Sequence, residues 1–528
     1  MTRGLTRRQC LTLFAKLAGG SAALMQAANV LGITTSPGNA PPIIFKAGSG
    51  QKKSVVMLGA GIASLTAALE LSKAGFHCTI LEASQRVGGR NLTVRSGDFI
   101  DEIGNPQICP FDPEPHLYFN CGPARIPAEH TALMHYCREL AIPLQLFSNY
   151  NTNCYTHDDK AFAGKPIRIR EYETDLSGFM NELLGKNLSK QTMLDEGIGE
   201  VELERMMEFV RQAGDLNKDL RYMGSERAGY ASGGITAPGK LKTPRKFEDI
   251  LHSDFGLAAM YFMRFSDQAP AVMTPVGGMD KVVQGFLNKL DPKLVDIRLN
   301  CPVRAIELNK NTVDIEYEQQ GAIKKLQADY CINAIPSQIL LGITNNFSPA
   351  YLQAISKIQR GNLVKIGFQA KQRFWEDELI FAGISWTNQD ITQLWYPEHG
   401  FMQQKGVLLG AYSWEPDVTS RFMNMTHAQR LETALTQGEK IHPQYRQYIE
   451  NGVSICWRRM NHLLGCGSQW HPDDIEEHFT LLQQPEGRHF LVGDQMSLLP
   501  GWQEGAIRSS WLAMAHIRQE LQASSGVQ

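Results

Sequence analysis

Residues 55–71 read VVMLGAGIASLTAALEL, and residues 78–84 read CTILEAS. The pattern predicts an apolar strand, a glycine turn, a helix, and a second strand that ends at the acid Glu82. Gly59 permits the tight turn, and Gly61 allows a phosphate group to approach the backbone at the helix N-terminus. A carboxylate at the end of the second strand is suited to accept the hydroxyls of a ribose. This order of elements predicts a Rossmann-type dinucleotide-binding unit in an α/β fold.

The residues that follow this acid indicate which dinucleotide is bound. Residues 82–90, EASQRVGGR, resemble the continuation of the motif in flavoprotein amine oxidases, where a glycine pair and an arginine lie against the FAD pyrophosphate. The resemblance implies that Ala83, Gly89 and Arg90 bind FAD, and a guanidinium has the forked donors that suit phosphate oxygens. Ser64 stands where a third glycine is usual. We count it among the cofactor-binding residues, because it is small enough to keep helix and strand close.

A second motif lies near the C-terminus. Residues 490–511, FLVGDQMSLLPGWQEGAIRSSW, resemble the C-terminal flavin motif of the monoamine oxidase and L-amino-acid oxidase superfamily. The resemblance implies that Asp494 accepts hydrogen bonds from the ribityl hydroxyls and that Trp502 forms a wall of the substrate site. The helix after Trp502 would direct its N-terminal amides at the flavin edge that gains negative charge on reduction. The resemblance assigns further FAD contacts to Gly122, Pro123, Ala124, Arg125, Val303, Gly493, Trp502, Gln503 and Ala506.

Residues 120–127, NCGPARIP, bear on the class of amine that is oxidised. This region resembles the corresponding region of amino-acid oxidases, in which an arginine follows shortly after a glycine that lies beside the flavin ring. The resemblance implies that Arg125 binds the substrate α-carboxylate, for which charge-assisted hydrogen bonds contribute roughly 1.5–3 kcal/mol. Monoamine and polyamine oxidases need no such cation. The alternative is a structural ion pair of Arg125 with Glu129 or another acid.

Aromatic and basic residues in the second half of the chain complete the predicted site. Lys365 lies in an apolar segment, where burial of an ammonium is costly, and it matches the family lysine that holds a water near flavin N5. Tyr396, with the adjacent Trp395 as the alternative, resembles the aromatic residue that touches the substrate carboxylate. Tyr412 and Trp457 are further pocket candidates, although core packing is the simpler interpretation of each. The predicted catalytic residues are Lys365, Arg125, Tyr396 and Trp502, and the last three are also the predicted substrate-binding residues.

The order of patterns along the chain predicts a discontinuous FAD-binding domain. Residues 131–270 have helical periodicity with many charges, and residues 341–450 mix strands and helices. Insertions of this size in a flavin domain usually build the substrate pocket. The predicted fold is therefore α/β, with a Rossmann-type FAD-binding domain, an inserted α+β substrate domain and a helical insertion. The predicted boundaries are 1–32 for a signal segment, 33–52 for a linker, 53–130, 271–340 and 451–528 for the FAD-binding domain, 131–270 for the helical insertion, and 341–450 for the substrate-binding domain.

Charge and composition exclude several classes of function. The 528 residues carry a net charge of −2, and no basic block follows the N-terminus, so we predict no nucleic-acid binding. Apart from a weak stretch near the start, no apolar run approaches the ~20 residues that cross a bilayer, so we predict no stable membrane span. The ten cysteines have no metal-ligand spacing, and we predict no metal site.

The N-terminus has the pattern of a targeting segment. Arg7 and Arg8 resemble a twin-arginine signal, although Cys10 departs from the aromatic residue usually found two positions after the pair. The alternative is an amphipathic helix that stays attached. Twin-arginine export carries folded proteins, which suits an enzyme that loads its flavin in the cytoplasm. The segment therefore predicts a periplasmic or secreted protein.

Together these resemblances predict an FAD-dependent L-amino-acid oxidase that transfers a hydride from the substrate Cα to flavin N5. Its products would be a 2-oxo acid, ammonia and, after reoxidation by O2, hydrogen peroxide. The alternatives within the family are an L-amino-acid 2-monooxygenase, which forms an amide, and a carboxylate-free amine oxidase. The alternative of another class is a non-catalytic FAD-binding protein. Family members often form dimers, so a homodimer is a further expectation.

Overall fold

The computed structural model describes residues 43–188, 199–260, 262, 265, 268 and 271–525. The predicted signal segment 1–32 and residues 33–42 of the predicted linker lie outside these residues. The described chain folds around two large sheets, with one large apolar core at the second sheet and one on each face of the first. None of the helices in the described ranges is long and apolar enough to cross a membrane.

The first large sheet has five parallel strands, and the strand that precedes the glycine turn lies at its centre. The strand order is Val295–Arg298, His77–Leu81, Ser54–Leu58, Tyr330–Asn333 and His489–Leu491. Three distant parts of the chain thus supply one sheet. The prediction of a discontinuous Rossmann-type domain is confirmed.

Alternate residues of the central strand enter different cores. Val55 and Met57 pack in the core that includes the C-terminal helix Gln503–Ser525, whereas Val56 and Leu58 pack on the opposite side. Side chains of a strand point alternately to its two faces, so both faces of this sheet are buried. Continuous apolar runs such as this one are typical of parallel strands that are covered on both sides.

The second large sheet has seven strands, and most of its pairings are antiparallel. Its strand Val364–Ala370 is buried along its whole length. The strand order is Ile167–Arg168, Tyr155–His157, Gly383–Thr387, Gln393–Tyr396, Gly406–Ser413, Val364–Ala370 and Ile449–Cys456.

This second sheet corrects two predicted boundaries. The strand Ile449–Cys456 pairs along its length with its neighbour in the sheet, so the predicted boundary at residue 451 falls inside the substrate domain. The predicted helical insertion 131–270 also contributes strands, since Tyr155–His157 pairs with Gly383–Thr387. A strand of two or three residues has too short a pattern to be recognised, and its partner lies far away in the sequence.

The helical part of the insertion is a pair of packed helices, Ile169–Leu188 and Glu200–Ala213. Val210 and Tyr222 are buried in the small apolar core between them. The helix Thr131–Glu139, which opens the same stretch, packs instead against the C-terminal helix of the FAD-binding domain. The insertion therefore includes elements of both domains.

The remaining elements are shorter. One small sheet has four strands in the order Ala322–Ala328, Val313–Gln319, Val303–Leu308 and Thr344–Asn345, and another has three in the order Ile126–Pro127, Val272–Pro275 and Leu144–Phe147. The two-stranded sheets are Tyr230–Ser232 with Lys240–Leu241, Gln359–Arg360 with Ser468–Gln469, Thr93–Val94 with Phe119–Asn120, and Phe99–Ile100 with Gln107–Ile108. The other α-helices are Ile62–Lys73, Phe247–His252, Phe255–Ala258, Asp280–Lys289, Ser337–Leu340, Pro349–Ser356, Phe374–Asp377, Pro416–Met423, His427–Gly438, Tyr445–Tyr448, Pro472–Asp474 and Thr480–Leu482. Single turns of 3₁₀-helix span Phe162–Gly164, Glu226–Ala228, Trp457–Arg459 and Asp494–Met496, and a π-helical turn spans Ile475–Phe479.

Candidate active site

A large cavity lies where segments of the two large sheets meet. Its volume is about 2180 Å³, well above the roughly 300–1,000 Å³ that is typical of a pocket for one small ligand. The cavity therefore has room for a dinucleotide together with a second small molecule. All the predicted site residues except Ser64 and Tyr396 line it: Gly59, Gly61, Glu82, Ala83, Gly89, Arg90, Gly122, Pro123, Ala124, Arg125, Val303, Lys365, Gly493, Asp494, Trp502, Gln503 and Ala506.

The glycine turn forms one end of the cavity. Gly59 has a φ of +90°, a conformation that residues with side chains rarely adopt. Gly61 precedes the helix Ile62–Lys73, whose N-terminus is not capped by any side chain of the described residues. A Cβ at Gly61 would meet no described atom within 4 Å. The first amides of this helix thus face open space without a side-chain partner, which fits the pyrophosphate of a dinucleotide.

Glu82 joins the glycine turn to the second strand of the motif. Its carboxylate accepts a hydrogen bond of 2.7 Å from the amide of Ala60 and bonds of 2.9 and 2.7 Å from the amide and hydroxyl of Ser84. Ala83 and Val303 line the cavity near this acid. The buried carboxylate therefore holds the turn in shape at the end of the cavity that suits a ribose.

Ser64 is a correction to the predicted cofactor contacts. It lies on the helix Ile62–Lys73, is fully buried, and lies outside the cavity lining. Its hydroxyl forms no hydrogen bond with the part of the chain that the structure describes. Because Ser64 is already inside the helix, its side chain packs against neighbouring elements rather than facing the phosphate site. Its small size serves close packing of helix and sheet.

Arg90 and Asp494 bind each other across the cavity wall. The Arg90 guanidinium donates from both terminal nitrogens to the two carboxylate oxygens, with Nη1 and Oδ2 2.8 Å apart, and it also donates to the carbonyl of Cys466. Asp494 accepts two further bonds, from the amides of Ser468 at 3.2 Å and Gly501 at 3.1 Å. Burial alone would raise the pKa of Asp494, but the guanidinium outweighs it and holds that pKa below its usual range. The pair fastens the first cofactor motif to the last one.

Arg125 lies between two indole rings. Its guanidinium carbon is 5.1 Å from the ring centroid of Trp395 and 5.6 Å from that of Trp502. Its Nε and Nη2 donate to the side-chain oxygen of Gln268 at 3.0 and 2.6 Å. The residue is buried and lines the cavity beside Gly122. The rings and the amide therefore fix the plane of the guanidinium, as recognition of a planar anion requires.

Lys365 lies on the buried strand Val364–Ala370 and faces the same part of the cavity. Its ammonium donates to the carbonyl oxygens of Asn120 at 3.2 Å and Gly122 at 2.5 Å. The rings of Trp395 and Tyr412 lie 5.5 and 5.2 Å from Nζ. Burial lowers the pKa of Lys365 to about 8. This side chain therefore changes charge near neutral pH.

The prediction that Tyr396 contacts the substrate is wrong, because its neighbour Trp395 lines the cavity and Tyr396 does not. Both residues belong to the strand Gln393–Tyr396, so their side chains point to opposite faces. The Tyr396 hydroxyl is within hydrogen-bond distance of Ser385 Oγ at 2.7 Å and His442 Nε2 at 2.6 Å, behind the sheet. Trp395, the alternative that the sequence left open, lines the cavity.

Of the other two aromatic candidates, Tyr412 lies at the cavity and Trp457 does not. Tyr412 lines the cavity and packs against Trp395, with ring centroids 5.0 Å apart. Trp457 is fully buried outside the cavity, and its indole N–H donates to the carbonyl of Cys121 at 3.0 Å. Trp457 therefore supports the loop before Gly122 from behind.

Gln268 and Arg360 are among the polar residues of the cavity that sequence reasoning missed. Gln268 holds Arg125, but it lies in the weakly patterned stretch 131–270, and no local signal marks it. Arg360 is a buried guanidinium that donates to Ser468 Oγ at 2.9 Å and to the carbonyl of Gly465 at 3.0 Å. Burial lowers the pKa of Arg360 to about 10. A charged residue four positions before the apolar strand of Lys365 is the signal that could have identified it.

A family model and curated relatives match most of the chain. The model described as flavin containing amine oxidoreductase matches residues 62–517. A putative L-amino-acid oxidase, YobN, from Bacillus subtilis (strain 168) is 26% identical over 474 residues, which cover 87% of this chain and 93% of the relative. The flavin-dependent L-tryptophan oxidase RebO from Lentzea aerocolonigenes is 25% identical over 494 residues, 88% of this chain and 98% of the relative.

Solved structures share the fold. A putrescine oxidase variant superposes with a TM-score of 0.59 at 18% identity, covering 89% of this chain and 99% of that protein. The cyclohexylamine oxidase from Brevibacterium oxydans IH-35A superposes with a TM-score of 0.57 at 17% identity and the same coverage. At this identity the likeness establishes the architecture alone.

Proposed function

Since this chain belongs to the flavin-containing amine oxidoreductase family and uses FAD, we propose that it oxidises L-amino acids to 2-oxo acids with release of ammonia and hydrogen peroxide. The observation that carries the proposal is the placement of Arg125 in the cavity. The guanidinium lines the cavity between the rings of Trp395 and Trp502. A free amine offers nothing for this cation to bind, whereas an amino acid offers a carboxylate.

The residues that line the cavity would bind and orient the substrate for this reaction. FAD, when bound, supplies the acceptor for the hydride that leaves the substrate Cα and the means of passing both electrons to O2. Arg125 binds the α-carboxylate, and the faces of Trp395 and Trp502 confine the substrate beside it. This fixes the orientation of the Cα–H bond, which is the main requirement for transfer between two bound molecules.

The substrate amine must lose a proton before the hydride leaves, because an ammonium has no lone pair with which to form the imine. Lys365 is the titratable group of this region whose pKa burial brings to about 8. We propose that its Nζ holds a water through which this proton passes to the unprotonated Lys365 amine or to solvent, and that a water held at the same place later hydrolyses the imino acid. Exclusion of other water by the aromatic rings would protect the imino acid until that step.

Product analysis tests the proposal against the alternatives. The purified FAD-bound protein is incubated with a panel of L-amino acids and with the amines that correspond to their decarboxylation. In buffer without catalase we expect equal initial rates of formation of 2-oxo acid, ammonia and peroxide from one or more amino acids, measured before peroxide decarboxylates the 2-oxo acid. An amide product would indicate the 2-monooxygenase, and turnover of amines alone would indicate a carboxylate-free amine oxidase. An absence of turnover on both panels would favour the non-catalytic FAD-binding protein.

We also propose that the protein is exported in folded form to the periplasm or the medium. The support is the arginine pair Arg7 and Arg8 ahead of a moderately apolar stretch. Replacing both arginines by lysine retains the charge and removes the twin-arginine feature. We expect the precursor of that variant to stay in the cytoplasm, measured by cell fractionation. Unchanged export would exclude this route.

A further inference from the structure

An aromatic wall leads away from Arg125 along the cavity. We define it by Trp395, Tyr412 and Trp414, which all line the cavity. The ring centroids of Trp395 and Tyr412 are 5.0 Å apart, and those of Tyr412 and Trp414 are 5.2 Å apart. Arg125 packs on the first of these rings. The wall thus runs from Arg125 to Trp414, and the next residue of the chain is Glu415.

Glu415 is a half-buried carboxylate at the end of the wall. It also lines the cavity. Although Glu415 immediately precedes the helix Pro416–Met423, its side chain does not cap that helix. Among the residues that the structure describes, no lysine, arginine or histidine influences or pairs with its charge. The pKa of Glu415 is raised above its usual value, because burial and the charge of Asp417 outweigh a hydrogen bond with the Trp414 side chain, which lowers it.

A further carboxylate of the cavity lining, outside the cofactor motifs, is that of Asp254. It differs from Glu415 because its charge is already balanced, by the Lys160 ammonium at 3.3 Å, and because its side chain is mostly exposed. Of these two carboxylates, Glu415 is therefore the one whose charge a bound ligand would balance. A partly desolvated carboxylate is stabilised most by a cation with hydrogen-bond donors.

We propose that the preferred substrates are L-amino acids with a long cationic side chain, and that Glu415 binds the ammonium or guanidinium of that side chain. The inference rests on the proposed amino-acid oxidation. With the α-carboxylate at Arg125, a side chain of the length of lysine or arginine extends along the aromatic wall. The faces of the wall attract a cation, and Glu415 provides the counter-charge at its end. An apolar side chain would leave the carboxylate partly desolvated and without a counter-charge.

The test compares cationic substrates with apolar ones, above all L-lysine with L-norleucine, whose side chain is that of lysine without the terminal ammonium. Steady-state oxidation of L-lysine and L-arginine is measured beside that of L-norleucine and L-methionine, with wild type and with Glu415→Gln. We expect wild type to favour lysine over norleucine by roughly tenfold or more in kcat/KM, since a buried polar group discriminates strongly against an analogue that leaves it unpaired. In Glu415→Gln the efficiency with lysine should fall by roughly 10- to 100-fold, while that with norleucine stays within about threefold of wild type.

The matched control is Asp417→Asn, which removes the same charge two residues later from an exposed position outside the cavity lining. It should leave the preference for lysine in place. FAD content and the thermal transition of each variant show that the fold is retained. Equal efficiency with lysine and norleucine, unaffected by Glu415→Gln, would overturn the inference and leave amino-acid oxidation intact. Failure to oxidise any L-amino acid would overturn the proposed function itself.

Discussion

The carboxylate of Glu504 accepts a hydrogen bond of 2.9 Å from the backbone amide of Leu133, 371 residues earlier in the chain. It also accepts bonds of 3.1 Å from the amide of Ala132 and 2.6 Å from Arg508 Nε, and its side chain is fully buried. An acid from the C-terminal helix thus caps the N-terminus of the helix Thr131–Glu139, where a negative charge is favourable. This contact holds the element that carries Trp502 against the loop that carries Arg125.

Replacing Glu504 by alanine should lower the free energy of unfolding by about 2–4 kcal/mol, because two buried amides lose their acceptor and Arg508 loses its counter-charge. Glu504→Gln retains an acceptor oxygen and should lose less. Urea denaturation of the three FAD-saturated proteins provides the measurement. Equal stability of wild type and Glu504→Ala would show that the cap contributes nothing.

Replacing Arg125 by alanine should lower kcat/KM for the best L-amino acid by about 10- to 100-fold, the equivalent of the charge-assisted bonds that it would make. Efficiency with the corresponding decarboxylated amine should change by less than about threefold, since that molecule has no carboxylate to lose. Arg125→Lys is the matched control, because it retains the charge and loses the bidentate geometry. We expect it to recover only part of the efficiency. Equal losses for amino acid and amine would contradict the assignment.

Lys365 predicts a specific pH dependence of stability. Its pKa in the folded protein is about 8, whereas its ordinary value is 10.5, so the unfolded chain binds more protons between these two values. The free energy of unfolding should therefore rise with pH in this window, by about 2–3 kcal/mol between pH 7 and pH 10 relative to Lys365→Met. Urea denaturation of FAD-free wild type and Lys365→Met at several pH values measures the difference. Parallel curves would indicate that Lys365 has an ordinary pKa.

Two adjacent residues should respond in opposite ways. Trp395→Leu removes a ring that flanks both Arg125 and Lys365, and we expect KM for the amino acid to rise by roughly tenfold. Tyr396→Phe removes a hydroxyl behind the sheet, away from the cavity, and should leave KM within about twofold while it reduces stability by about 1 kcal/mol. Steady-state kinetics and thermal unfolding of the pair provide the test. A larger effect on KM from Tyr396→Phe than from Trp395→Leu would indicate that Tyr396, not Trp395, contacts the substrate.

What the sequence predicts well is what depends on neighbours along the chain. The turn at Gly59 and Gly61 and the acid Glu82 belong to one short strand–turn–helix–strand unit, so their spacing alone indicates their arrangement. The choice between Trp395 and Tyr396 depends instead on which face of a strand is turned toward the cavity. That orientation is set by the pairing of the whole sheet, and a shift of one residue would reverse it.

Other features depend on contacts between distant segments. Gln268 lies 143 residues from Arg125, and Glu504 lies 372 residues from Ala132. The strand Ile449–Cys456 has eight residues, but only its pairing shows that it belongs to the second sheet rather than the first. Periodicity predicts that such elements exist, and it contains no information on their partners.

The most direct test of amino-acid oxidation is an anaerobic titration of the purified FAD-bound protein with L-amino acids, followed by flavin absorbance. We predict that one or more amino acids bleach the flavin band, and that admission of air restores it with release of peroxide and a 2-oxo acid. A flavin that stays oxidised with every L-amino acid, and is bleached by an amine or by nothing, would contradict the account.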